Sequence, residues 1–135
     1  MPKRKVKVRA ADDGAGGVDF EVDGVKAKQA RMKLDKDSGE HEIEFELHDQ
    51  SNHSLAFDTT DPIWVGEDCP CPPPQGINSD QILVSSKSGQ VLTASNANSG
   101  AARELRYQLN FIAKDGSSHE CDPIIENGGG IKPLR

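Results

Sequence analysis

Apolar and polar residues alternate at every second position along much of this chain, and that pattern limits what it can fold into more than any other feature. Ile43-Glu44-Phe45-Glu46-Leu47 alternates without error, and Leu105-Arg106-Tyr107-Gln108-Leu109-Asn110-Phe111 does so for seven residues. Successive side chains of a strand point to opposite faces, so each segment presents one greasy face and one solvated face. A helix would scatter the same residues around its circumference. Val6 and Val8 alternate with Lys5, Lys7 and Arg9, and Val18, Phe20 and Val22 alternate with Asp19 and Glu21. Shorter candidates are Met32–Leu34, Leu55–Phe57, Ile63–Val65, Gln81–Val84, Val91–Ala94 and Ile124–Ile125.

Turn residues separate these runs. Asp23-Gly24 and Asp115-Gly116 are two-residue hairpin signals, because primed turns need positive φ and glycine supplies it. Asp35–Gly39 and Lys87–Gly89 read as slightly longer hairpin turns. No window of ten or more residues carries a 3.6-residue period, and the best helical candidate, Val25–Met32, is short. Short strands with frequent turns predict an all-β, immunoglobulin-like antiparallel β-sandwich of seven to nine strands, with Leu105–Phe111 central. A closed barrel is the alternative architecture.

Size and charge refine this expectation. The 135 residues include 28 Leu, Ile, Val and Phe, enough for one small core. Residues 1–42 carry ten basic and nine acidic side chains, whereas 43–135 carry six basic and thirteen acidic. We expect residues 1–42 to form an N-terminal arm with one or two strands, packed on or part of the same domain. Residues 43–127 would form the sandwich core, and the glycine run from Gly128 would release a tail over 128–135. No segment approaches the roughly 18 apolar residues that span a bilayer. No apolar stretch follows Met1–Lys7, so the expected location is cytoplasmic.

Candidate sites are few. Gly66–Gly76 carries four prolines in five positions, Pro70 and Pro72–Pro74 with Cys71 between them. Prolines there stiffen the chain toward polyproline II and keep it out of a sheet interior. The loop is either a rigid connection or a presented binding surface. Trp64, just before it, is either a core residue or an exposed anchor of the kind that dominates interfaces. The expected partner-binding set is Trp64, Glu67, Asp68, Pro72, Pro73, Pro74 and Gln75, with a protein as partner. Asn96–Gly100 reads as a tight connection, and Pro123 as an edge or bulge in the last strand.

The one group with ligand chemistry is Cys69-x-Cys71 with His119-x-Cys121. Alternate residues of extended chain share a face, and three thiolates with an imidazole make a zinc set. Zinc is the cofactor this set would hold. Asp12-Asp13-Gly14 and Asp58–Asp61 fall short of the oxygen ligands of Ca²⁺, and no methionine follows Cys121 as a copper site needs. A small metal-binding or thiol-redox protein is the alternative function. Nucleophile elbows, phosphate loops and zinc-protease motifs are absent from the sequence, so a non-catalytic binding or assembly module leads. The basic run Lys3–Arg9 lacks interleaved aromatics and precedes an acidic remainder, against nucleic acid. Its lysines would guard an edge strand instead.

Asp61-Pro62-Ile63-Trp64-Val65, Cys69-Pro70, Asn96-Ala97-Asn98, Tyr107–Phe111 and Asp122-Pro123-Ile124-Ile125-Glu126-Asn127 occur in this order. The sequence thereby resembles small bacterial β-sandwich proteins of the DP-EP family over roughly residues 43–127. Glu126-Asn127-Gly128 stands where a Glu-Pro dipeptide would be sought. The resemblance implies a β-sandwich and no particular activity.

Overall fold

A computed structural model describes residues 2–69 and 72–130. It contains β1 (Lys3–Asp12), β2 (Val18–Val22), β3 (Val25–Lys26), β4 (Arg31–Leu34), β5 (His41–Asp49) and β6 (Ala56–Phe57). These are followed by β7 (Ile63–Glu67), β8 (Ile82–Lys87), β9 (Val91–Asn96), β10 (Arg103–Ile112), β11 (Ser118–Cys121) and β12 (Ile124–Asn127). The only helical turn among the described residues is a 3-10 turn at Ala27–Gln29.

The strands make two six-stranded sheets packed together. The first runs β3-β2-β1-β5-β9-β8. In the second, β7 and β6 line one edge of β10, β12 and β11 line the other, and β4 lies beyond β12. The alternating segments form the expected strands, and Leu105–Phe111 is central to its sheet. Two features differ from expectation. The described residues form twelve strands rather than seven to nine, two of them, β3 and β6, only two residues long. The sheets are also mixed, because β1 runs parallel to β5 and β4 runs parallel to β12.

The parallel pairs come from the route of the first 42 residues. Parallel neighbours cannot be joined by a hairpin. After the β2–β3 hairpin the chain crosses to the other sheet, lays down β4, and returns through Asp35–Gly39 to start β5 beside β1. The N-terminal segment thus supplies four strands, not one or two, and contributes to both sheets. Lys3–Arg9 is an edge only in part: β2 covers β1 from Val8 onward and Asp23 bonds to Lys7, whereas Lys3–Val6 pairs with β5 alone among the described residues. Asp35–Gly39 is a crossing between sheets rather than a hairpin turn. Asp23 (φ 50°) and Gly24 (φ 84°) do close a two-residue hairpin, as their residue types require.

The inward rows interlock. Val6, Val8, Ile43, Phe45 and Leu92 from one sheet meet Ile63, Val65, Leu105, Tyr107, Leu109 and Phe111 from the other, all nearly inaccessible to solvent. Phe111 stacks on Phe20 at 5.1 Å across the interface and meets Phe57 at a tilt, 4.8 Å between ring centres. Each such large apolar side chain, fully buried, stabilises the fold by about 1.5–3 kcal/mol.

At one end the sheets are joined by polar groups. The Asn96 side-chain amide donates to Asn127 Oδ1 at 2.8 Å, and Asn127 donates back to Asn96 Oδ1 at 2.8 Å. Asn98 receives the Gly129 N–H at 3.0 Å and donates to the Asp35 carbonyl at 3.0 Å. Asn96–Gly100 is therefore an inter-sheet clasp as well as a connection. The glycine run does not release the chain at Gly128. Gly129 is buried, and a side chain there would strike the backbone of Ala102 at 2.9 Å. Residues 131–135 of the expected tail lie outside the described residues.

Candidate functional site

The proline-rich loop leaves β7 on the flank of β10 that carries Trp64. Ile63 and Val65 point into the core, so alternation sends Trp64 and Gly66 to the outer face of the sheet. Trp64 lies opposite Gln108 and is half-buried there. It is neither a residue packed between the sheets nor a fully exposed anchor. Its indole Nε1–H donates to Asp61 Oδ2 at 2.6 Å, and Gln75 Nε2 approaches the same oxygen at 3.4 Å. Asp61 is itself held in a turn, because Asp58 Oδ1 accepts the Thr60 and Asp61 N–H groups at 2.8 and 3.0 Å.

The loop folds back over Gly66. A Cβ there would stand 2.5 Å from Cys69 Sγ and 3.2 Å from Pro74 Cδ, so only glycine allows the approach. Pro73 is buried by this packing, while Pro72, Pro74 and Gln75 are exposed. The chain then runs along the free edge of β7, with Val65 N–H on the Gly76 carbonyl at 2.9 Å and Asn78 N–H on the Val65 carbonyl at 2.8 Å. That edge is closed to further strand pairing at this point.

Glu67 and Asp68, expected to meet a partner, are engaged internally. Glu67 accepts from Arg103 at 3.0 Å and from the Ser79 hydroxyl at 2.6 Å. Asp68 exchanges bonds with Glu104, accepting its N–H on Oδ1 at 3.0 Å and donating its own to the Glu104 carbonyl at 2.9 Å. Both residues position the loop. Beside it lies an open cleft of about 690 Å³ bounded by Glu67, Cys69, Asn78, Ser79 and Arg103.

The three described residues of the expected zinc set, Cys69, His119 and Cys121, are not brought together. Cys69 lies beside β7, whereas His119 and Cys121 belong to β11 on the other side of β10. Two strand spacings and several residues of strand length put more than about 15 Å between them. Cys121 is buried opposite Leu109, and burial, with Asp122 beside it, pushes its thiol far above the ordinary value. Such a thiol is a poor metal ligand and a poor nucleophile. His119 meets His53 at 5.1 Å between ring centres and Ser117 Oγ at 3.2 Å. Cys71 lies outside the described residues, among which no cluster of three or more His, Cys, Asp or Glu side chains fits a metal ion.

Periodicity placed Trp64 beside Ile63 and Val65 but could not say whether a second layer covers its face. Arg103, which ties loop to sheet, was not singled out by the sequence, since an arginine in an alternating strand carries no signal of its distant partners. No helix among the described residues is long and apolar enough to cross a membrane. No protein-family model matches the chain, and no curated protein matches it either.

Proposed function

We propose that the protein is a non-catalytic binding or assembly module on an immunoglobulin-like sandwich; its resemblance to the DP-EP family would suggest the sandwich and carries no activity with it. Its recognition surface is Trp64 with the exposed loop residues Pro72, Pro74 and Gln75, and its partner is another protein. One observation carries the reading: the single tryptophan lies on an outer sheet face with its indole fixed by Asp61, next to a loop stiffened by prolines. A fixed aromatic ring and a stiff loop lose little conformational freedom on docking. Tryptophan is also enriched among residues that dominate interfaces.

Photo-crosslinking in the source cells tests this. A crosslinker at Gln75 is expected to capture one defined protein, and Trp64→Ala to abolish the adduct. A crosslinker at Ser86, in β8 of the opposite sheet, is the control. Equal capture from both positions, or none from Gln75, overturns the proposal. Because Trp64 lies outside the core, Trp64→Ala is expected to cost the fold about 1–2 kcal/mol, below the roughly 3–5 kcal/mol of a core aromatic.

A further inference from the structure

The opposite flank of β10 holds a different kind of site. Between β4 and the strands β1 and β2, a cavity of about 200 Å³ is walled by Val6, Val22, Ala30, Met32 and Pro123, with Tyr107 at its base. Arg4 stands at its mouth. On β1, Arg4 shares the inward parity of Val6 and Val8, and its Nη2 donates across the gap to the Lys33 carbonyl on β4 at 3.2 Å. No carboxylate pairs with Arg4 among the described residues. Arg31, also at the rim, is already matched by Glu104 at 3.0 Å and Glu126 at 3.2 Å.

Tyr107 is the second, independent observation. It is 2% exposed, and its ring packs on Phe45 at 5.5 Å. Its hydroxyl makes no hydrogen bond among the described residues. The buried amides Asn96, Asn98, Asn127 and Gln81 find partners, whereas the Tyr107 hydroxyl, like His41 Nδ1 and Asp122 Oδ1, does not. A phenylalanine would fill the same space without a donor to satisfy. Burial, with smaller effects from Cys121 and Asp23, pushes the phenol well above its ordinary value, so the hydroxyl stays protonated and can donate.

We propose that this cavity binds a small monoanionic organic acid: its carboxylate meets Arg4, its apolar body lies against Val6, Val22 and Met32, and an oxygen at its far end accepts from Tyr107. The cavity size favours a single ring, since a dry cavity of about 150 Å³ takes benzene. The charge favours an anion, because four basic residues and one acidic residue line the cavity of a chain whose net charge is −6. Asp23 at the rim would repel a second negative group, which disfavours dianions such as phosphate esters. A guanidinium can grip a carboxylate with two parallel hydrogen bonds. The site is independent of the Trp64 surface.

Two-dimensional amide NMR with three probes provides the test: 4-hydroxybenzoate, benzoate and benzyl alcohol. We expect saturable shifts at Val6, Val22, Met32 and Tyr107, with 4-hydroxybenzoate binding at least fivefold more tightly than benzoate and at least tenfold more tightly than benzyl alcohol. Arg4→Gln, an exposed change, should weaken both acids at least tenfold and leave the alcohol unchanged. Tyr107→Phe should erase the preference for the hydroxyl-bearing acid while preserving the fold. Acids that bind no better than the alcohol, or shifts that map to Trp64 instead, overturn the proposal. So does a preference that survives in Tyr107→Phe. The three-probe ranking on the unaltered protein decides the matter even if a variant misfolds.

Discussion

Asp-Pro-Ile leads into β7 and again into β12, and these two strands lie on opposite sides of β10. In both, the proline carbonyl accepts a β10 amide: Asn110 N–H at 2.9 Å for Pro62, and Tyr107 N–H at 3.2 Å for Pro123. The shared residues then diverge. Ile63 lies opposite Leu109 and faces the core, whereas Ile124 lies opposite Arg106 on the outward row. A register difference of one residue exchanges the faces of a strand. On the first flank it leaves Trp64 outside, where a loop packs beside it. On the second it puts Ile125 inside, while Pro123 and Ile124 line the cavity that Tyr107 also lines.

The carboxylates differ in the same way. Asp61 is held by the Trp64 indole and Gln75. Asp122 Oδ1 is buried without a partner, and burial, reinforced by Glu120, pushes its carboxyl above the ordinary value. The same dipeptide is therefore a tether on one flank and an unsatisfied charge on the other. Context, not residue type, decides which.

The largest expected effect contrasts the far ends of the two strands. β12 ends in Asn127, 2% exposed and paired reciprocally with Asn96. Asn127→Ala leaves Asn96 without that partner and opens a void, and should cost about 3 kcal/mol in urea denaturation. β7 ends in the partly exposed Glu67–Arg103 ion pair, so Glu67→Ala should cost about 1 kcal/mol or less. Equal losses would mean that the clasp is no stronger than the ion pair.

Next in size is Asp61→Ala. It removes the acceptor of the indole N–H and should cost about 1–2 kcal/mol, with a measurable rise in quenching of Trp64 fluorescence by acrylamide. An unchanged melt and an unchanged quenching constant would show that Asp61 does not fix the ring.

The smallest effect has the opposite sign. A carboxyl whose folded pKa is raised holds its proton more tightly folded than unfolded. Its contribution is complete below the unfolded value and is lost as pH rises through the folded one. Asp122→Asn should therefore stabilise the protein at pH 7 by about 1 kcal/mol or less. The gain should vanish below pH about 4, where the carboxyl is protonated in both states. Melting curves at pH 7 and pH 3.5 read this directly, and a loss of stability at pH 7 would show that Asp122 has a partner after all.

Much of the strand content was legible, because alternation is a local property. Ile43–Leu47 and Leu105–Phe111 state their own faces, and Tyr107 shares a row with Leu105 and Leu109 that had to be buried. β11 was missed because Ser118-His119-Glu120-Cys121 offers only one apolar residue, and pairing with β10 supplies its order. Pro123 looked like an edge or bulge, yet it falls in the break between β11 and β12, where no ladder bond is required of it. β12 is an interior strand between β10 and β4.

The sequence by itself determined which residues alternate, where turns with positive φ fall, and that apolar rows must be covered. These follow from backbone geometry over a few residues. Only the tertiary structure decided that β1 runs parallel to β5, that Trp64 faces outward, that Cys69 and Cys121 are kept apart, and that Arg4 and Tyr107 line one cavity. Each depends on contacts between residues tens of positions apart, chosen by the packing of two sheets, and no local pattern carries that information.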